Sequence, residues 1–269
     1  MAITALHSAA SGLRALSTQI DVLANNLSNA ETTAFKRQRV NFEDLMYLSQ
    51  RQPGTTNSQG AVAPSGIFVG LGTKVDNTQI DLTQGSMDPT NGTLDLAIQG
   101  NGFFAVKLLA GFGDGTGYTR NGNFFVNAQN ELVLGSGEGY HLVPPMTIPT
   151  GSTNITIGQD GTVQVTQPGS STPRVIGQFQ LTQFVNPQGM QLLGGSLYLP
   201  TNASGPPITG APGTNGLGLI QQGYLEQSNV DPVKELVTLI QTQNDFNLNS
   251  QSIQTADQAL QTVANLRKG

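Results

Sequence analysis

The sequence predicts an α+β fold in which two discontinuous terminal helices pack as a coiled-coil-like bundle around an extended segment and an inserted antiparallel β domain. Three observations carry that expectation. Apolar residues recur every seven positions near both ends, short alternating segments split by turn dipeptides fill the middle, and the two textures do not mix. The boundaries that follow are a helical assembly domain over residues 1–31 and 229–269, an extended segment over 32–94 and 200–228, and a β domain over 95–199.

At the amino end, Leu6, Leu13, Ile20 and Leu27 form one row and Ala9, Leu16, Leu23 and Ala30 the half-step row. Every position in both rows is apolar, the pattern of a helix that packs on other helices. The flanks are small or amide, with Ala10, Ser17 and Ala24 on one side and Gly12, Gln19 and Asn26 on the other. A two-stranded coil would carry charges there, whereas small residues let backbones approach from several directions. A crowded bundle is expected.

The second helix is announced by Asp231-Pro232, a capping oxygen followed by a ring whose φ is already helical. Leu239, Phe246, Ile253 and Leu260 then recur every seven residues, and Leu236, Gln243, Ser250 and Asp257 are read as the weaker half-step row. Arg267 and Lys268 complement the negative end of the helix. An isolated amphipathic helix is marginal in water, because its stability comes from burying the apolar face. Both ends are therefore expected to gain order in an assembly, with Leu6, Leu13, Leu16, Ile20, Leu23, Leu27, Leu236, Leu239, Phe246, Ile253 and Leu260 at subunit contacts.

Between the helices, Gln52-Pro53-Gly54-Thr55-Thr56-Asn57-Ser58 suits neither a long helix nor a central strand. Ile155-Thr156-Ile157, then Asp160-Gly161, then Val163-Gln164-Val165 reads as a hairpin. Asn121-Gly122 and Pro187-Gln188-Gly189 are further turn signals, and Ala203 to Gly218 is an irregular connector.

Composition narrows the function classes. Charged residues make up 11% of the chain, against about 25% in a usual soluble domain, so much of the surface is expected to be covered by neighbours. A net charge of −5 disfavours nucleic acid, and the one basic cluster, Lys36, Arg37, Arg39 and Arg51, has Glu43 and Asp44 among it. There is no cysteine, hence no disulfide and no thiolate metal site. No apolar run is long enough for a membrane span, and Met1 to Leu27 lacks the pattern of a cleaved secretory signal.

An enzyme is the rival class. His7 and His141 are the two histidines; the first flanks the helix seam and the second follows Tyr140 in a strand-like stretch, with no neighbouring histidine to form a metal pair. Asp76, Asp81, Asp88 and Asp95 could suggest paired carboxylates for glycoside cleavage, but their turn-rich setting favours turn and cap chemistry. Gly111-Phe112-Gly113-Asp114-Gly115-Thr116-Gly117 lacks the Lys of a phosphate loop. No catalytic residue, cofactor or metal is expected.

Ala24-Asn25-Asn26-Leu27-Ser28-Asn29, then Thr32, then Phe35-Lys36, resembles the amino-terminal signature of the bacterial flagellar basal-body rod and hook family. Asp95-Leu96-Ala97-Ile98, Gly100-Asn101-Gly102-Phe103-Phe104 and Tyr118-Thr119-Arg120-Asn121-Gly122 resemble the start of that family's β domain, and Leu225-Glu226-Gln227-Ser228-Asn229-Val230 its carboxyl-terminal signature. Within the family, Met46 to Gly66, including Arg51-Gln52-Pro53-Gly54, is similar to the distal-rod branch; a proximal rod or hook protein is the alternative.

The resemblance implies a structural protein exported by the flagellar type III apparatus without signal cleavage. It implies assembly as a helical homo-oligomer from periplasm to outer membrane, transmitting motor torque and enclosing an export channel. Partners would be proximal rod proteins, hook or hook-junction proteins, and the P and L ring proteins, with no nucleic acid and no membrane insertion. Asn25, Asn26, Phe35, Lys36, Arg51 and Pro53 would join the helix positions at subunit contacts. Two departures stand out. Ala34 occupies a position where the family has Gly, so the backbone there either avoids positive φ or is strained. Asn244, Asp245, Asn247 and Gln251 replace a more charged stretch, where amide hydrogen bonds would substitute for salt bridges.

Overall fold

The computed structural model describes residues 2–56, 60, 62–108, 115–168 and 172–266, so most of the glycine-rich 111–117 loop and the Arg267-Lys268 pair lie outside the described residues. It is α+β, with two helices and antiparallel strands throughout the described pairings. Two compact units result. One comprises residues 1–28, 38–81 and 231–269, the other 29–37 and 82–230. Of the segment read as extended, 38–81 groups with the helices, and 32–37, 82–94 and 200–228 group with the β strands.

In the helical unit, α1 (Ala2–Ser28) packs along α2 (Pro232–Leu266) and against the antiparallel strands Gln38–Asp44 and Thr73–Ile80. At 1.5 Å per residue the helices run about 40 and 52 Å. Asp231 caps α2 as its sequence suggests: Oδ1 accepts hydrogen bonds from the N–H groups of Val233 at 3.1 Å and Lys234 at 3.3 Å. Those bonds to Lys234 and Val233, with the Lys234 charge, hold the Asp231 carboxyl below the usual aspartate range. A separate ribbon pairs Tyr47–Arg51 with Ile67–Gly70, so the turn-rich Gln52 stretch lies in the connection between them. No described helix is long and apolar enough to cross a membrane.

The β unit is built on a nine-stranded sheet. Its central strand Phe103–Lys107 pairs with Thr116–Thr119 on one side and with His141–Val143 and Leu181–Gln183 on the other. The expected hairpin is present, Asn154–Ile157 pairing with Thr162–Thr166 around Gly161 at φ +81°, and Arg174–Gln178 adds a third strand. Leu96, Ile98, Phe104, Val106, Phe124, Leu132, Leu134, Val163, Phe179 and Leu181 share one core. Phe104 and Phe124 meet edge to face, with centroids 5.2 Å apart.

Asn121-Gly122 does not close a hairpin. The strands on either side of it, Thr116–Thr119 and Phe124–Val126, lie far apart in the sheet order. Its role is close approach: a Cβ at Gly122 would run into the backbone carbonyl of Leu96, whose own N–H bonds the Gly122 oxygen at 2.9 Å.

Candidate functional site

The β unit contains a buried ionic cluster drawn from three distant stretches of sequence. Lys36 closes the amino-terminal signature, Arg120 immediately follows the strand Thr116–Thr119, and Glu226 ends the strand Tyr224–Glu226. Lys36 Nζ lies 2.6 Å from Glu226 Oε1, and Arg120 Nε 2.7 Å from Oε2. The three residues are 1%, 4% and 1% exposed.

Burying charges is costly unless every polar atom finds a partner. Here the partners are supplied. Arg120 Nη1 donates to the Gly102 carbonyl at 3.0 Å, and Nη2 to those of Ile98 at 3.1 Å and Gly100 at 3.0 Å. Lys36 Nζ also donates to the Thr83 carbonyl at 2.7 Å, and the Gly85 N–H donates to Glu226 Oε1 at 3.0 Å. Burial pushes the Glu226 carboxyl up, but the Arg120 and Lys36 cations outweigh it and hold its pKa below the ordinary value. Arg120 borders a cavity lined also by Leu82, Phe103 and Phe184, but its donors and the Glu226 carboxylate are engaged within the chain, so what the arrangement can do is hold chain segments together.

Ala34 sits beside this cluster, fully buried at φ +57°, its N–H bonded to the Glu226 carbonyl at 2.8 Å. Of the two alternatives at this position, the strained one is realised, since a side chain disfavours left-handed backbone.

In the helical unit, Asn26 is the counterpart. It is 0% exposed; its Nδ2 donates to the Gln38 carbonyl at 2.7 Å and its Oδ1 accepts the Gln38 N–H at 2.9 Å. The same Nδ2 lies 3.2 Å from Oε2 of the buried Glu235 in the first turn of α2. One amide thus ties the end of α1, a strand and the start of α2.

The helix seam follows from these burials. On α1, Leu23 is buried and Leu6, Leu13, Leu16, Ile20 and Leu27 are half-buried. On α2, Leu239, Phe246 and Ile253 are half-buried, and the half-step row turned inward is Glu235, Thr242, Asn249 and Ala256. The half-step row through Leu236 faces away from α1, Leu236 being 48% exposed. Hydrophobicity alone selected Leu236; the inward positions are polar but satisfied, Glu235 by Asn26 and Thr242 by its own helix through the Thr238 carbonyl at 2.8 Å. In the amide-rich stretch, Asn249 lies over Gly12 of α1.

The remaining expected contact residues divide. Asn26 and Lys36 are buried and hydrogen-bonded within the chain. Asn25, Arg51, Pro53 and Leu260 are exposed, and Phe35 is half-buried. Large apolar side chains also remain uncovered on α2, at Val233, Leu236, Val237, Ile240 and Leu248, and on the ribbon, at Tyr47, Leu48, Ile67 and Phe68, beside Met46 at 83%.

Glu226, Arg120 and Glu235 were not among the expected site residues. A signal existed: in a chain so poor in charge, ionic residues set in apolar strand sequence such as Tyr118-Thr119-Arg120 and Tyr224-Leu225-Glu226 invite pairing. The rival enzymatic residues take structural partners. His141 Nδ1 is 3.2 Å from Glu131 Oε2, His7 Nδ1 is 3.3 Å from the Leu71 carbonyl, and Asp95 accepts from Thr90 at 2.6 Å and Asn123 at 2.9 Å.

Comparison with known proteins agrees with these segments. Residues 6–36 match the family model "Flagella basal body rod protein", 97–165 "Flagellar hook protein FlgE/F/G D1 domain", and 221–266 "Flagellar basal body rod FlgEFG protein C-terminal". The chain is similar to the flagellar basal-body rod protein FlgG of Buchnera aphidicola subsp. Schizaphis graminum, 44% identical over 98% of this chain and 100% of that protein. It is 42% identical to that of Caulobacter vibrioides, over 98% and 99%, and 40% identical to that of Borreliella burgdorferi, over 98% of each. The protein that carries Lys36, Arg120 and Glu226 on these matched stretches belongs to the flagellar basal-body rod protein family, whose members are structural subunits and not enzymes.

Proposed function

We propose that this chain is a subunit of the distal rod, polymerising into a rigid helical tube that carries motor torque to the hook and encloses the export channel. The observation that carries this reading is the uncovered apolar surface of the helical unit, on α2 and on the Tyr47–Gly70 ribbon, in a chain matched along nearly its whole length by proteins named FlgG. An isolated two-stranded ribbon is marginal in water, and exposed apolar patches of this kind mark protein contacts. In the assembly the two helices join those of neighbouring copies in a coiled-coil-like bundle, and the Met46 to Gly66 segment braces adjacent subunits, with Arg51 and Pro53 at the contact. Leu6, Leu13, Leu16, Ile20, Leu27, Asn25, Phe35, Leu236, Leu239, Phe246, Ile253 and Leu260 contribute wherever neighbours approach.

Proximal rod, hook or hook-junction proteins and the P and L ring proteins are the further partners of this reading, with delivery through the flagellar type III apparatus to the space between periplasm and outer membrane. Electron microscopy of the purified protein at high concentration tests it. Straight tubes are expected from the wild type and none from Val237→Asp or Ile240→Asp, whose monomers melt like the wild type. Tubes of normal yield from both variants would refute the assignment of this face. Replacing Met46–Gly66 by a short Gly-Ser linker is expected to give bent or shortened rods; equally straight ones would remove the bracing role.

A further inference from the structure

The strip of chain just after α1 has its seat built largely from the strip just before α2. Ala34 N–H bonds the Glu226 carbonyl at 2.8 Å, the Phe35 carbonyl accepts the Asn229 N–H at 3.4 Å, and Arg37 N–H bonds Asn229 Oδ1 at 2.7 Å. Lys36 reaches into the same place to meet the Glu226 carboxylate. The seat is in turn fastened to 83–89: Gly85 N–H bonds Glu226 Oε1 at 3.0 Å, Gln227 N–H bonds the Ser86 carbonyl at 2.8 Å, Asn229 Nδ2 bonds the Thr83 carbonyl at 3.0 Å, and Tyr224–Glu226 pairs with Met87–Pro89.

We propose that residues 33–37 and 226–229 form one latch, in which neither strip keeps its place without the other and the Glu226 charge closes both. Two cations, Lys36 and Arg120, converge on a single carboxylate from which water is excluded. Withdraw that carboxylate and two like charges are left side by side without a counter-ion, which a flexible lysine relieves by swinging into water and taking its backbone along. Arg120 keeps three carbonyl partners from 98–102 and stays seated, so the cost falls on the 33–37 side. Left-handed Ala34 adds to the tendency to open, since such a conformation persists only where its surroundings enforce it. The two strips are 190 residues apart at Lys36 and Glu226, so their meeting closes a long loop and comes after the local strand pairings of the sheet. The latch therefore opens and shuts as a sub-global unit, distinct from the sheet core.

Hydrogen exchange on the full-length protein through a series of sub-denaturing urea concentrations tests this. The amides of Ala34, Arg37 and Gln227 are expected to share one opening equilibrium and one urea slope. Leu132 and Phe179, whose side chains lie in the core and whose N–H groups bond the Met146 and Gly161 carbonyls at 2.9 and 2.8 Å, are expected to exchange at least about tenfold more slowly. In Glu226→Gln the first three should lose protection together by about tenfold or more, while their urea slope stays shallower than that of Leu132 and Phe179. Separate slopes for Ala34 and Gln227 in the wild type would overturn the proposal, as would unequal loss among Ala34, Arg37 and Gln227 in the variant. Should Glu226→Gln not yield folded protein, the wild-type urea series decides alone.

Discussion

Lys36 and Glu226 are 190 residues apart in the chain and 2.6 Å apart in space. Their contact joins two stretches that sequence comparison matches to separate family models, one amino-terminal and one carboxyl-terminal. The part of the chain that the family shares at its two ends is therefore also a point where those ends are physically fastened.

Removing one partner of a buried ion pair costs about 3–5 kcal/mol, and Glu226→Gln is expected to destabilise the β unit by that order in urea melts. The sign of the pH effect follows from the depressed carboxyl. Its stabilisation is fully present above the ordinary glutamate value of 4.5 and is lost as pH falls through the lowered folded value. Wild-type melting temperature should thus drop more steeply on acidification than that of Glu226→Gln; parallel curves would contradict the assignment.

Ala34 makes a graded prediction. Glycine relieves left-handed strain of about 1–2 kcal/mol but loses a buried methyl and adds freedom to the unfolded chain, together of similar size. Ala34→Gly should therefore stay within about 1 kcal/mol of wild type. Ala34→Val, β-branched at a buried positive φ, should cost about 2 kcal/mol or more. Chemical denaturation of the three proteins checks the order.

Gly122 offers a steric test. Gly122→Ala puts a methyl into the Leu96 carbonyl, and the forced backbone shift is expected to cost about 1–3 kcal/mol. Asn121→Ala, beside it, loses the Oδ1 that accepts the Asn123 N–H at 3.1 Å and should cost less than Gly122→Ala if the dipeptide is not a hairpin turn. A thermal melt showing the reverse order would restore the turn reading.

The register of α2 can be tested in the same way. Leu23→Ala on α1, at a buried position, should destabilise the monomer by about 2–4 kcal/mol. Leu236→Ala, half exposed, should change it by less than about 0.5 kcal/mol and act only on polymer yield. A large effect of Leu236 on the dilute monomer would return it to the intrachain seam.

Periodicity made the helices legible, because seven-residue rows such as Leu6 to Leu27 and Leu239 to Ile253 reflect a one-sided burial that depends on few other residues. The hairpin around Asp160-Gly161 was legible for the same local reason. What escaped was polar and non-local. Glu235 and Thr242 look like surface residues until Asn26 and the helix backbone satisfy them, and nothing at Arg120 reveals that residues far away supply its counter-ion. Gly122 misled because a turn dipeptide and a close-approach glycine are spelled alike.

The sealing of Lys36, Arg120 and Glu226 has one more consequence. Mobile ions weaken attraction between charges that they can surround, over a Debye length of about 8 Å at physiological ionic strength, and they cannot enter a space closed to water. The grip of Glu226 on Lys36 and Arg120 thus depends little on brine or fresh water, while contacts made at the exposed Lys74–Glu43 pair fade as salinity climbs.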